Sequence, residues 1–188
     1  MDFATFSGHK FHGVRGVGFV YIKSGKKITP LLTGGGQERD YRSTTENVAG
    51  IAATAKALRL SMEKLDIFTS KTGQMKAVIR QALLDYPDIF VFSDEKDFAP
   101  HILTFGIKGV RGEVIVHAFE DYDIFISTTS ACSSKAGKPA GTLIAMGVDK
   151  DKAQSAVRLS LDLENDMSQV EQFLTKLKLI YNQTRKVR

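Results

Sequence analysis

The spacing of apolar positions changes period several times along the chain. Residues 2–7 alternate weakly, and residues 16–23 (GVGFVYIK) are rich in β-branched and aromatic side chains, so both segments predict strands. A Gly- and His-rich connection over 8–15 separates them, and the polar run 23–27 (KSGKK) reads as a turn. Residues 31–42 hold three consecutive glycines and predict a loop. The period then lengthens. Val48, Ile51, Ala52, Ala55, Leu58, Met62 and Leu65 recur every three or four residues and predict one apolar helix face. Ser43 and Glu46 stand at capping-box spacing ahead of it, where each side chain can satisfy a free backbone N–H. Met75, Val78, Ile79, Ala82, Leu83 and Tyr86 predict a second helix, which Pro87 ends.

Strands are expected at 89–93 and 102–107, a helix over 112–119 with Val114, Ile115 and Ala118 on one face, and a short buried strand at 124–127. Residues 128–137 are small and polar and read as a loop, followed by a short helix over 140–146. A strand at 157–161 carries Arg158, and a last helix from Asp166 presents Val170, Phe173, Leu174, Leu177 and Ile180. From about residue 45 onward this mixture predicts an α+β layer. The first 40 residues hold two strands and many glycines, and two strands alone are marginal, so they are expected to belong to a larger sheet.

Composition narrows the class. Apolar residues make up 43% and charged residues 25%, as in a soluble globular protein. No apolar run approaches the roughly 20 residues that span a bilayer, and the first residues lack a signal peptide's basic start and apolar core. A cytoplasmic location is the expectation. The net charge of +5 comes partly from the tail Arg185-Lys186-Val187-Arg188; an acidic partner protein or an anionic cofactor fits it equally well, and without a recognisable module no direct nucleic acid binding is expected. The acidic residues from Asp94 to Asp97 read as a solvated turn. His12, His101 and His117 are too scattered for a metal site. The single cysteine, Cys132, rules out a disulfide within the chain.

Two places carry chemistry. In Ser7-Gly8-His9-Lys10 a strand ends in a hydroxyl, an imidazole and an amine, a set suited to an anionic aldehyde cofactor; the plain reading is a surface lysine after a turn. Cys132 lies among Ser130, Ala131, Ser133 and Ser134, with Gly137 nearby. Such a loop lets a nucleophilic thiol swing between two sites, although a lone cysteine is commonly a small buried hydrophobe.

Read together, residues 7–18 (SGHKFHGVRGVG) resemble the lysine segment of the class V aminotransferases, in particular the cysteine desulfurases. Residues 34–39 (GGGQER) with 42–48 (RSTTENV) resemble that family's next signature, 130–134 (SACSS) its catalytic-cysteine loop, and 157–160 (VRLS) its substrate-arginine strand. The four occur in the family's order and cover essentially the whole chain. The resemblance implies a fold-type-I pyridoxal-5'-phosphate-dependent transferase, α/β and α+β, with residues 1–44 closing the large cofactor domain and 45–188 forming the small C-terminal domain with its linking helix. It implies that Lys10 attaches the cofactor and moves the proton at the substrate Cα. Ser7 and His9 hold its phosphate, Thr45 reaches the phosphate of the other subunit in a homodimer, Arg158 takes the substrate carboxylate, and Cys132 attacks the sulfur of L-cysteine. The sulfur then passes to an iron–sulfur scaffold or a tRNA-thiolation enzyme.

The chain departs from the pattern at Val14, where the family commonly has proline, at Thr44, where it has glycine, and at Lys138-Pro139, where it often has Glu-Pro. Family members are also about twice this length. The preceding half would supply the ring that stacks on the cofactor and the Asp that pairs with its pyridine nitrogen, so the chain alone is expected to be a poor enzyme. Arg158 as a structural ion pair and Thr45 as a plain helix cap are the bland readings of those residues. The rival functions are another class V enzyme, a selenocysteine lyase or an aminotransferase, and a truncated domain without catalysis.

Overall fold

The computed structural model describes residues 1–93, 98–128 and 141–186, and the chain divides into two compact units, Met1–Asp66 and Ile67–Arg188. In the first, β1 (Phe3–Ser7) and β2 (Gly18–Ile22) pair antiparallel, in register from Phe3 opposite Ile22 to Ser7 opposite Gly18. A 3-10 turn, Gly8–Phe11, follows β1, and a second one covers Gln37–Asp40 inside the expected loop. Helix α1 (Val48–Glu63) follows.

The start of α1 corrects the expected capping box. Residues 43–47 stay outside the helix, and Asn47 is the cap, its Oδ1 accepting the Gly50 N–H at 3.1 Å. The expected apolar face is exposed: Val48 is 71% and Met62 59% accessible. What α1 buries instead is Gly50 and Thr54, which meet the hairpin.

Helix α2 (Leu65–Leu84), all but its first two residues in the second unit, begins well before the expected Met75 and stops ahead of Pro87. Its early turns are polar (FTSKTG) and show no apolar stripe; Thr72 is nevertheless fully buried, its hydroxyl donating to the Phe68 carbonyl at 2.7 Å. Strands β3 (Ile89–Val91) and β4 (Ile102–Ile107), helix α3 (Gly112–Glu120), strand β5 (Ser127–Thr128), helices α4 (Gly141–Ala145) and α5 (Lys150–Gln154), strand β6 (Ala156–Ser160) and helix α6 (Met167–Lys186) follow. The sheet order is β3-β4-β6-β5, and every neighbouring pair is antiparallel.

Strand alternation sorts this sheet into two faces. Leu103, Phe105 and Ile107 of β4 and Val157 and Leu159 of β6 pack against Met75, Ile79 and Leu83 of α2, Ile115 and Phe119 of α3, and Val170, Phe173, Leu177 and Ile180 of α6. Phe173 stacks on Phe119 with ring centroids 5.0 Å apart. The α3 face is Ile115 and Phe119 rather than Val114, which is 52% exposed. On the opposite face Ala156 joins Leu143 of α4 and Ala153 of α5 in a small second cluster.

Candidate functional site

The lysine segment is built from backbone geometry. Chain direction reverses after β1 through the Gly8–Phe11 turn, closed by His12 in the left-handed region at φ 66°. The Gly8 N–H donates to the Val17 carbonyl and the Gly13 N–H to the Gly8 carbonyl, both at 2.9 Å. At Gly18, opposite Ser7, a Cβ would lie 2.3 Å from the Phe6 carbonyl oxygen, so only glycine allows this approach. Helix α1 braces the turn from the side. The Ser61 hydroxyl donates to the carbonyl of Phe11, the residue after Lys10, at 3.3 Å. Thr54 lies against Gly8, where a Cβ would sit 3.0 Å from its Oγ1, and that hydroxyl has no hydrogen-bond partner among the described residues. On this pedestal Ser7, His9 and Lys10 are exposed together, around the buried Gly8.

The next signature forms a strained loop. Gly36 is left-handed at φ 83°, and Glu38, Arg39 and Asp40 follow in the same region at φ 49°, 56° and 65°. Each such non-glycine residue costs roughly 1–2 kcal/mol. Thr45 is exposed in the irregular segment ahead of α1, and because Asn47 caps the helix, Thr45 does not.

Arg158 lies on β6, flanked in register by Thr104 of β4 and Ser127 of β5. The three share the sheet face opposite the main core, because Val157 and Leu159 on either side of Arg158 point into that core. Arg158 is half-buried, and its Nε is shielded and lacks a hydrogen-bond partner among the described residues. Among the described residues no ion pair of Arg158 is found. Beside it, Thr104 is anchored at both backbone atoms: its carbonyl accepts from the Phe92 N–H and its N–H donates to the Oγ of buried Ser93, each at 2.8 Å. Sequence reasoning did not single out Ser93, Thr104 or Ser127; their only signal was a polar residue breaking an apolar strand.

Cys132, its serine-rich neighbours, Lys138-Pro139 and the acidic residues 94–97 lie outside the described residues. Two further titratable side chains, Lys76 and His101, have shifted pKa values. Lys76 of α2 is 7% exposed and donates to the Ala99 carbonyl at 3.0 Å; burial, then the Arg80 charge, lowers its pKa. His101 packs on Phe68 with ring centroids 5.1 Å apart, and burial lowers its pKa. Among the described residues no helix is long and apolar enough to cross a membrane.

Known proteins match the chain over most or all of its length. The family model for aminotransferase class-V matches residues 1–173. A NifS/IcsS protein homolog of Lactobacillus delbrueckii subsp. bulgaricus is 47% identical over 188 residues, which is 100% of this chain and 49% of that protein. A cysteine desulfurase IscS of Clostridium botulinum is 35% identical over 191 residues, covering 100% of this chain and 48% of its own. Among solved structures, a NifS-like protein superposes with a TM-score of 0.81 at 34% identity, over 97% of this chain and 47% of the other. A NifS-like protein from Rickettsia africae superposes with a TM-score of 0.82 at 29% identity, over 97% and 48%. The chain thus spans about half the length of the curated relatives it matches. With the family model matching most of its length, the chain belongs to the class V aminotransferase family.

Proposed function

We propose that this chain is the lysine-bearing and small-domain part of a pyridoxal-phosphate-dependent cysteine desulfurase. Its parent takes L-cysteine, leaves the sulfur as a persulfide on Cys132 and releases L-alanine. The observation that carries the reading is the turn that presents Ser7, His9 and Lys10 together on a braced backbone. These donors fit the cofactor's chemistry. A hydroxyl and an imidazole N–H can donate to phosphate oxygens, and a primary amine can attach to an aldehyde. When bound, pyridoxal phosphate supplies an electron sink for the substrate Cα.

The chain's own residues do the rest. Arg158 takes the substrate carboxylate with its planar fork, and its unpartnered Nε supports that role. Lys10 moves the proton at the substrate Cα. The Cys132 thiolate attacks the substrate sulfur: a new S–S bond forms, the substrate's C–S bond breaks, and its carbon takes a proton on the way to alanine. Thr45 reaches the phosphate site of a second subunit in a homodimer. Residues 1–44 belong to the large cofactor domain, and 45–188 to the small domain with its linking helix. The persulfide sulfur passes, in the cytoplasm, to an iron–sulfur scaffold or a tRNA-thiolation enzyme.

The test is the absorption spectrum of the purified chain with added pyridoxal phosphate, beside Lys10→Ala. A visible band lost in the variant is the expected result. Alanine and sulfide assays follow, with Cys132→Ala: loss of desulfuration supports the reading, whereas retained activity marks a selenocysteine lyase or aminotransferase. A folded sample with no band withdraws cofactor binding from this chain and leaves it a small domain without catalysis.

A further inference from the structure

We infer that Ser61 is a positioning residue for Lys10, fixing the peptide that follows the lysine through one hydroxyl on α1; this rests on the proposed role of Lys10. The Ser61 hydroxyl donates to the Phe11 carbonyl at 3.3 Å, across a separation of 50 residues in the chain. Phe11 is the last residue of the Gly8–Phe11 turn and adjoins Lys10. The last carbonyls of a helical turn have no acceptor role within it, so a donor from outside must satisfy them.

The other end of the turn is held by backbone. The Gly8 N–H donates to the Val17 carbonyl, and the Gly8 carbonyl accepts from the His12 and Gly13 N–H groups. The Phe11 ring meets Phe19 of β2 edge-on at 6.3 Å. Lys10 thus stands between two anchored peptides, the earlier one tied to the hairpin and the later one to a side chain of α1. An amine that must meet an aldehyde carbon, and later a proton on the neighbouring carbon, depends on such placement.

The composition of α1 brings that hydroxyl in. Its buried and half-buried positions are Gly50, Ala53, Thr54, Ala57 and Ser61, a face of small side chains recurring every three or four residues. Small side chains permit a close approach. A Cβ at Gly50 would lie 2.6 Å from Val17 Cγ2, and Thr54 packs where Gly8 carries no Cβ. Thr54 and Ser61 are seven residues apart, so about 10 Å of helix lies alongside the turn, with Thr54 at its first residue and Ser61 at its last.

The test uses the 188-residue chain with pyridoxal phosphate as the probe. Borohydride fixes the amine–aldehyde adduct, and peptide mass spectrometry reads the share on Lys10 across a titration. Lys56, exposed on α1, is the control amine. In the cofactor-free chain the 13C resonance of the Phe11 carbonyl reports the hydrogen bond directly. Ser61→Ala should shift that resonance and weaken uptake at Lys10 about two- to tenfold, the size of one hydrogen bond between neutral groups, with Lys56 unchanged. Ser61→Thr, which keeps the hydroxyl, should restore both readings. A merely structural role predicts the reverse order, because alanine is the better helix former and threonine the worse. An unshifted carbonyl resonance in Ser61→Ala overturns the inference. So does a shifted resonance with wild-type uptake at Lys10, which leaves the lysine's own role standing. If wild-type Lys10 takes up no more probe than Lys56, both fall.

Discussion

The two compact units hold their side chains in different ways. In Ile67–Arg188, Leu103, Phe105, Phe119, Ile115, Val157, Leu177 and Ile180 have no accessible surface, and helices α2, α3 and α6 close one face of the sheet. In Met1–Asp66 only Gly8, Gly50 and Thr54 are buried, and Phe3, Phe6, Phe19, Val20 and Tyr21 stay 40–46% exposed. Arg158 therefore takes its place from a packed core behind its strand. Lys10 takes its place from close backbone approaches, two turn hydrogen bonds and a helix flank. Packing holds Arg158's strand through buried apolar contacts, whereas the lysine turn is held by hydrogen bonds and steric limits between backbone segments, each hydrogen bond adding only about 1 kcal/mol.

The contrast is sharpest energetically at two phenylalanines. Phe105→Ala removes a ring with no exposure that meets Phe173 edge-on at 6.2 Å. It should cost about 3–5 kcal/mol. Phe19→Ala removes a ring 40% exposed and stacked on Phe6 at 4.8 Å, and should cost only about 1 kcal/mol. Urea unfolding followed by circular dichroism measures both, and equal costs would break the comparison.

A smaller effect is expected at the entrance to α1. Asn47→Ala should remove about 1 kcal/mol of helix stability, seen as faster hydrogen exchange at the Gly50 amide, with α6 amides unchanged. Unchanged exchange at Gly50 would mean that the hairpin, not the cap, holds the helix start.

The last effect is one of pH, confined to the packed unit. Burial pushes the His101 imidazole below its ordinary 6.5, and the Lys76 charge adds to this while Asp162 opposes it. The unfolded chain therefore takes up a proton at a pH where the folded chain resists it. His101 contributes stability fully above about pH 6.5, and that contribution falls as the pH drops toward the lower folded value. His101→Gln should flatten the fall in melting temperature between about pH 7 and 5; an unchanged slope would assign it to other groups.

Much of the packed unit was legible because its elements obey simple periods. β4, β6 and α6 announce themselves through Leu103-x-Phe105-x-Ile107, Val157-x-Leu159, and the 170, 173, 177, 180 spacing. Helix α5 was missed because its five residues include one inward side chain, Ala153; the Asp149 cap, accepting from the Asp151 N–H at 2.9 Å, was its available signal. The first half of α2 was hidden because its buried position at Thr72 is polar. At α1 the Ser43/Glu46 spacing misled, since a capping pattern has meaning only if the intervening backbone turns, and here residues 43–47 run on outside the helix. Of the candidate site, Ser7, His9, Lys10 and Arg158 could be named from the sequence. Their neighbours could not, because Ser61 and Thr54 come beside the lysine turn, and Thr104 and Ser127 beside Arg158, only in the folded chain.

The glycines under the lysine turn also set what laboratory evolution can do with it. Gly18 faces a carbonyl oxygen that any side chain would strike, and a Cβ at Gly50 would come within 2.6 Å of both Val17 and Asn47. Libraries at these two positions should return almost nothing but the parent residue. Variation at exposed Ser7, His9 and Lys10 should be tolerated structurally. The turn is thus a mount whose fitting can be exchanged but whose bracket cannot, and a designer wishing to install a different reactive group has three open positions above a fixed base.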